Sequence, residues 1–250
     1  ETWRERVVPP ELDAWSRNLA MLVGDIQQAM ATSMVNSLPV TVHPEVVRWL
    51  VNHLTTDWLP EVLNGEMLDV EYSIKPLEQI KEEDILTMLD RKTASTLAWC
   101  ATAGALIGLN RVEPNHPTVK LLAEIFRQAG LAFQLQDDIL GIIGDEAELG
   151  KPVGSDIRAG KRTVIAVHAY HQANPAQQAL LQTILGKTNA SATEIEQVKA
   201  VLEECGGIAY ARKLAEDYTS RAELLLGELP ESVPQQKLQA LVNFITQRNY

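Results

Sequence analysis

Two adjacent carboxylates, Asp137 and Asp138, interrupt an apolar run with helical spacing from Phe126 to Ile143. Burying an ion costs several kcal/mol unless it finds a partner. Cations follow shortly downstream: Lys151, Arg158, Lys161 and Arg162. Carboxylate oxygens are hard ligands that suit Mg²⁺, whose shell is usually completed by water and substrate phosphates. The pairing therefore points to a site for a divalent metal and a phosphorylated ligand. An acid pair on a solvent-facing helix is the plainer alternative, and the flanking Ile139, Leu140, Ile142 and Ile143 speak against it. Neighbours on a helix diverge by about 100°, so the two carboxylates cannot point alike. Gln134 lies three residues before Asp137 and four before Asp138, which places it on their side of the helix.

The cations belong to a stretch from Gly150 to Thr163 whose glycines and Pro152 shape a loop past the end of the acidic helix. Gly160-Lys161 invites a P-loop reading, which fails. The spacing back to Gly154 is one too long, Arg162 replaces the required Ser or Thr, and no strand precedes it. Lys92-Thr93 opens an apolar helical run, and Gly65-Glu66-Met67-Leu68-Asp69 sets two acids on a helix; each is weak by itself. His168 and His171 are three apart, but no third ligand lies near them in sequence, so they read as surface or packing residues. No Gly-x-Ser-x-Gly elbow or Cys-His nucleophile pattern is present.

Positioning such groups takes a scaffold, and the periodicity is helical almost throughout. The spacing predicts helices over Leu12 to Ser37, Pro44 to Asn64, Gly65 to Glu71, Glu82 to Gly108 and Pro117 to Ile143. Further helices are predicted over Arg162 to Gln172, Pro175 to Leu185, Ala192 to Cys205, Gly207 to Leu226 and Gln235 to Arg248. Pro44, Pro117 and Pro175 suit first-turn positions, where a missing N–H costs nothing. Ser191-x-x-Glu194 and Ser232-x-x-Gln235 read as capping boxes, and Gly206 as a helix stop. No linker, repeat or low-complexity tract divides the chain. The expectation is one all-α domain, a bundle of packed long helices.

The 250 residues are 46% hydrophobic, enough for a sizeable core, with only 5% aromatic. A net charge of -11 argues against a broad nucleic-acid surface and against anionic membranes. The longest apolar stretch, Ala94 to Leu109, is broken by Thr102 and glycines. It reads as a core or dimer helix and not as a membrane span. Cys100 and Cys205 lack metal spacing and read as buried, reduced thiols of a cytoplasmic protein.

Taken in order, these pieces resemble the trans-isoprenyl diphosphate synthases, the polyprenyl synthetases that include farnesyl and geranylgeranyl diphosphate synthases. The run Phe133-Gln-Leu-Gln-Asp-Asp-Ile-Leu-Gly141, followed by Gly144 to Thr163, looks like the family's second aspartate-rich motif and lysine loop. Lys92-Thr93 matches its Lys-Thr pair. Gly65 to Asp69 matches its Gly-Gln-x-x-Asp stretch, with Glu66 where Gln is usual. Gly24-Asp25 matches the Gly-Asp of the helix after its first aspartate-rich motif.

The resemblance implies an isoprenoid-synthase-type fold and a prenyltransferase. Such an enzyme condenses an allylic diphosphate with isopentenyl diphosphate, head to tail, through Mg²⁺-assisted ionisation. The product would be a trans-prenyl diphosphate of farnesyl to geranylgeranyl length. Asp137 would bind Mg²⁺ with Asp138 in support. Lys92, Lys151 and Lys161 would hold the allylic diphosphate, and Thr93 and Gln134 would set oxygens near the developing carbocation. A homodimer is implied, with Ala94 to Leu109 as a candidate interface. Ala29, Met30 and Ser33, on the helix from Leu19 to Met34, are candidates for the pocket floor.

The chain departs from the family in two places. Gly141 stands where many members have a further Asp, which removes a third carboxylate from that turn, and Asp145 is a doubtful substitute. The first aspartate-rich motif would lie upstream of Arg4 and is absent from the sequence. Arg4 or Arg6 would be the remnant of the arginine pair that follows it, with Arg6 the candidate diphosphate ligand. The favoured expectation is a longer protein in which that motif precedes this chain. The rivals are a non-catalytic subunit of a heteromeric synthase and a terpene cyclase on the same fold.

Overall fold

The computed structural model describes residues 10–144 and 154–246. Among these residues every regular element is helical. The elements are α1 (Pro10–Asn36), α2 (Pro44–His53), α3 (Leu59–Ile74), α4 (Glu82–Leu89), α5 (Ser95–Leu109) and α6 (Pro117–Ile143). They continue with α7 (Ser155–Ala159), α8 (Val164–Gln172), α9 (Pro175–Ile184), α10 (Ala192–Glu204), α11 (Gly207–Leu226) and α12 (Val233–Thr246). No helix among the described residues is long and apolar enough to cross a membrane.

The acidic helix α6 is the axis of the bundle. It starts where the sequence places it, with Pro117 in the first turn and the His116 ring accepting from the Thr118 N–H. Its buried residues run from Val119 through Ile125, Ala129, Ala132 and Leu135 to Ile142, and wrap around much of its circumference. A helix apolar on most sides must be packed on most sides. α5 and α11 lie along it, and α12 closes one flank through Phe126, Ala222, Leu226 and Val242. The largest cluster joins α3, α4, α6 and α8 through Tyr72, Ile85, Met88, Leu135, Ile139, Val164 and Ile165. A smaller one joins α2 to α5 through Val46, Leu50, Ala103 and Leu106.

Two rods differ from the expected pattern. The predicted helix break at Gly65 does not exist. α2 and α3 form one rod that passes through a π-helical turn at Leu54–Trp58. α4 and α5 likewise form one rod through a second π turn at Asp90–Ala94. Gly65 is needed for close approach: a methyl group there would overlap the backbone of Lys92, whose Cα would lie 2.8 Å away. The rods thus cross almost backbone to backbone, with Lys92 at the crossing.

One further expectation is corrected. Both cysteines are free thiols: Cys100 is exposed because the outer face of α5 opens on an apolar cleft of about 490 Å³ against α12, and Cys205, at the end of α10, is half-buried. The candidate floor residues Ala29, Met30 and Ser33 are exposed on α1, which meets the bundle chiefly at α2, and their expected role in the pocket is left open by that exposure. Leu63, Met67, Val70 and Ile74 form a second exposed apolar stripe, along the outer face of α3. The histidines take packing roles: His168 Nδ1 lies 2.8 Å from Glu82 Oε1 while the ring stacks on Tyr210, and His171 meets the Ile80 carbonyl.

Candidate functional site

The C-terminal third of α6 brings Gln134, Asp137 and Asp138 to the level of the π turn that carries Lys92 and Thr93. Asp138 is 1% exposed, whereas Asp137 is half-buried. Thr93 Oγ1 donates to Gln134 Oε1 at 2.8 Å, and Gln134 Nε2 donates to Asp138 Oδ1 at 3.2 Å. The same Asp138 oxygen accepts from Lys161 Nζ at 2.7 Å. Burial pushes the Asp138 carboxyl above the usual carboxylate range, aided by the charge on Asp137 and opposed by Lys161 and Gln134. Lys161 is itself largely enclosed, which alone would lower its pKa. The Asp138 carboxylate, then Asp156 and Asp137, more than offset this and hold it protonated.

Lys161 reaches Asp138 because of the local turn. α7 is anchored by the buried Ile157 and flanked by Gly154 and Gly160, both left-handed at φ +75° and +70°. Glycine adopts that conformation without steric cost. The Lys161 N–H then closes the turn on the Asp156 carbonyl at 3.0 Å. Arg162 does not join the acids. It is 9% exposed and donates to the carbonyls of Gly160 at 3.0 Å and Lys75 at 3.4 Å, and burial lowers its pKa. A buried guanidinium without a carboxylate is here satisfied by backbone carbonyls, which fastens the lysine turn to the end of α3. Arg158 Nε donates to the Ala190 carbonyl. The expected cluster of cations is therefore divided among different tasks. Lys151, Asp145, Arg4 and Arg6 lie outside the described residues.

Across from this pair, Lys92 Nζ meets Asp69 Oδ2 at 2.6 Å and Glu66 Oε2 at 2.9 Å. Burial alone would lower the Lys92 pKa; its hydrogen bonds to Asp69 and Glu66 outweigh this and raise it. The acids of the Gly65 to Asp69 stretch thus face the site, and Glu66 supplies a charge where the family usually has an amide.

Asp156 is the residue that sequence reasoning missed. Its side chain lies over Gly141, where an added methyl group would collide with Oδ2, and that oxygen sits 3.8 Å from Lys161 Nζ. Gly141 does not simply delete a carboxylate. It makes room for one that arrives from α7. An isolated glycine in an apolar helix was the available signal, since such glycines mark close approach.

The donor set fits a hard divalent cation in one definite respect. Asp138 Oδ2 is fully enclosed and has no hydrogen-bond partner, an arrangement that is costly unless a cation completes it. Among the described residues no three acids, imidazoles or thiols converge closely enough to hold a metal alone. That matches Mg²⁺, which usually takes one or two carboxylates and fills its shell with water and phosphate oxygens.

An all-α bundle that gathers two lysines and a buried acid at one level of its central helix is shared with the prenyltransferases, and the relatives make the chain an enzyme of that class. Comparison with known proteins agrees. The polyprenyl synthetase family model matches residues 3–203. A geranylgeranyl diphosphate synthase of Saccharolobus solfataricus is 30% identical over 236 residues, covering 94% of this chain and 69% of that one. The crystal structure of a geranylgeranyl pyrophosphate synthetase from Pyrococcus horikoshii superposes with a TM-score of 0.82 at 31% identity, covering 98% of this chain and 72% of the other. A polyprenyl synthase from Caulobacter crescentus, complexed with calcium and isoprenyl diphosphate, gives 0.77 at 25% identity over 95% and 68%. The chain belongs to the polyprenyl synthetase family, whose reaction is prenyl chain elongation.

Proposed function

We propose that residues 1–250 form one polyprenyl synthetase domain that condenses an allylic diphosphate with isopentenyl diphosphate, head to tail, with Mg²⁺ as cofactor. The observation that carries this reading is the enclosed, unpartnered Oδ2 of Asp138 beside two clamped lysines.

Asp138 and Asp137 would hold the metal. Bound there, it would neutralise charge on the departing diphosphate. Lys161 and Lys92 add fixed positive charge on either side, and Lys151 is assigned to the same task by the family motif. Arg6 is assigned to the diphosphates on the same ground. Lys92 has two acid partners and three N–H donors, which leaves one donor for a phosphate oxygen. Thr93 spends its single proton on Gln134, so its remaining lone pairs face outward as acceptors. Oriented oxygens of this kind stabilise an allylic cation as the C–O bond breaks. The isopentenyl double bond then attacks that cation, and loss of a proton completes the elongation.

The proposed product is of farnesyl to geranylgeranyl length, a reading supported at its upper end by the geranylgeranyl diphosphate synthases among the relatives. A homodimer is supported by the exposed apolar stripes of α1 and α3, which a solitary bundle would leave in water. A cytoplasmic setting accords with two free thiols.

Product chromatography with dimethylallyl, geranyl and farnesyl diphosphates as primers, each with and without isopentenyl diphosphate, tests the reading. Elongation that requires isopentenyl diphosphate and Mg²⁺, and that falls at least about a hundredfold in Asp138→Ala, is expected. Cyclised hydrocarbons formed without isopentenyl diphosphate would overturn it.

A further inference from the structure

The turn that carries Lys92 and Thr93 does not follow α-helical geometry, and something must hold it. π turns are rare and arise mostly as single insertions at functional sites. Bonding i to i+5 places more residues in the turn, so neighbours are separated by a smaller angle than in an α-helix. That is how two adjacent residues serve one opening: Lys92 reaches α3 while Thr93 reaches α6.

The turn is clamped on two faces by missing side chains. Gly65 of α3 lies against the Lys92 backbone, and a methyl group on Gly130 of α6 would fall 2.7 Å from the Ala94 Cα. Its first residue is gripped by a single cation. Arg127 Nε donates to Asp90 Oδ1 at 2.6 Å and Arg127 Nη2 to Asp90 Oδ2, a two-pronged bond. Arg127 Nη2 also donates to Glu61 Oε1 at 3.2 Å, which ties the same guanidinium to the first turn of α3. Hydrogen bonding to Asp90 raises the Arg127 pKa further, so the guanidinium keeps its charge and its donors at any working pH. Arg127 is two turns from Gln134 along α6 and touches neither acid of the pair.

We infer that Arg127 is a positioning residue for Lys92 and Thr93: by holding Asp90 in its planar fork and Glu61 at its edge, it fixes the π turn between α3 and α6. The planar fork sets direction as well as charge, which a lysine ammonium cannot do. The inference rests on the reading of Lys92 as a diphosphate ligand, and its geometric half stands separately.

The test is calorimetric titration of the 250-residue chain with inorganic diphosphate in the presence of Mg²⁺, with hydrogen exchange followed over residues 90–95. The variants are Arg127→Gln, Arg127→Lys, Asp90→Asn, the Asp90→Asn/Arg127→Gln double and Lys92→Ala. Removing the grip misplaces Lys92, so Arg127→Gln and Asp90→Asn each weaken diphosphate binding about tenfold. The double variant is no weaker than Arg127→Gln alone, because both of its substitutions break the same Asp90–Arg127 pair. Arg127→Lys falls between, and exchange quickens over residues 90–95 while the core of α11 keeps its protection. Asp90→Asn preserves shape and gives the same reading if Arg127→Gln does not fold. Wild-type affinity in Arg127→Gln, or losses that add in the double variant, would overturn the inference. Undiminished binding by Lys92→Ala overturns the diphosphate-site reading instead. In that case unchanged exchange in Arg127→Gln sinks the clamp, and faster exchange upholds it.

Discussion

Two lysines flank the Thr93–Gln134–Asp138 chain and are held in different ways. Lys161 sits on one carboxylate that is 1% exposed, whereas Lys92 is shared between Asp69 and the half-exposed Glu66. Around Asp138 water is excluded, so each charge is costly without its partner. Around Lys92 only Glu66 is open to solvent, which screens that pair, so Glu66 can let go at small cost while the part-buried Asp69 keeps hold. The first arrangement commits its residues to a fixed geometry. The second keeps a lysine charged and placed, yet able to turn toward an arriving anion.

Breaking the committed pair should have the largest effect. Asp138→Ala leaves Lys161 with only the distant Asp156, so the metal-free chain should lose about 2–3 kcal/mol in urea unfolding, somewhat less than a wholly buried pair would cost. Wild-type stability in that variant would erase the contrast between the two lysines. Gly141→Asp restores the residue many family members carry, but here it drives into Asp156. Overpacking should cost about 1–3 kcal/mol, and diphosphate binding should fall as α7 is displaced. Affinity equal to or above wild type would show that Asp156 yields freely.

At the solvated lysine the effects should separate. Lys92→Ala should change stability by less than about 1 kcal/mol while weakening diphosphate binding, and Glu66→Gln should stay within about 0.5 kcal/mol. A large stability loss in Glu66→Gln would make the two lysines alike.

The pH dependence sharpens the contrast. The folded-state pKa of Lys161 is raised above the ordinary 10.5, so its contribution is complete below that value and is lost as pH rises through the higher folded value. The stability gap between wild type and Lys161→Met should therefore be flat from about pH 7 to 10 and close only above that. A gap that closes below pH 9 contradicts the pairing. A surface pair supplies the smallest effect and the opposite sign. Lys187 and the Ser191 cap hold Glu194 down at about 2, so its contribution is present above the ordinary 4.5 and fades as pH falls toward 2. Melts of Glu194→Gln against wild type should converge over that window.

The framework of this molecule was legible where local chemistry decides it. Pro117 begins α6, Gly206 ends α10 in a left-handed turn, and Ser191 and Glu194 cap each other as their spacing requires. The π turns were not legible. A change of hydrogen-bond register leaves the apolar pattern almost intact, and its cause lies in Gly65, Gly130 and Arg127, remote in sequence from the turn they hold. Gly65 was read as a boundary because glycine does both jobs, and only the crossing rod distinguishes them.

Site residues followed the same division. The fold joins Thr93, Gln134, Asp138 and Lys161 in one hydrogen-bonded chain, sets Lys92 next to Thr93 on the same π turn with its own acid partners, and leaves Asp137 beside the chain, in the places the family resemblance implied. Arg162 was read as part of an anion site because charge is visible in a sequence and its counter-groups are not; backbone carbonyls satisfy it. Asp156 escaped notice because the position it serves is marked by an absent side chain.

The carboxylate over Gly141 also has an evolutionary reading. A ligand carried on the helix is fixed once the helix forms. One carried on α7 arrives only when the lysine turn has closed, since Asp156 and Lys161 are joined through a single backbone bond. Exchanging aspartate for glycine at residue 141 thus transfers control from a rigid element to a hinged one. Sequence drift in residues 154–162 can therefore move that carboxylate without touching the acidic helix.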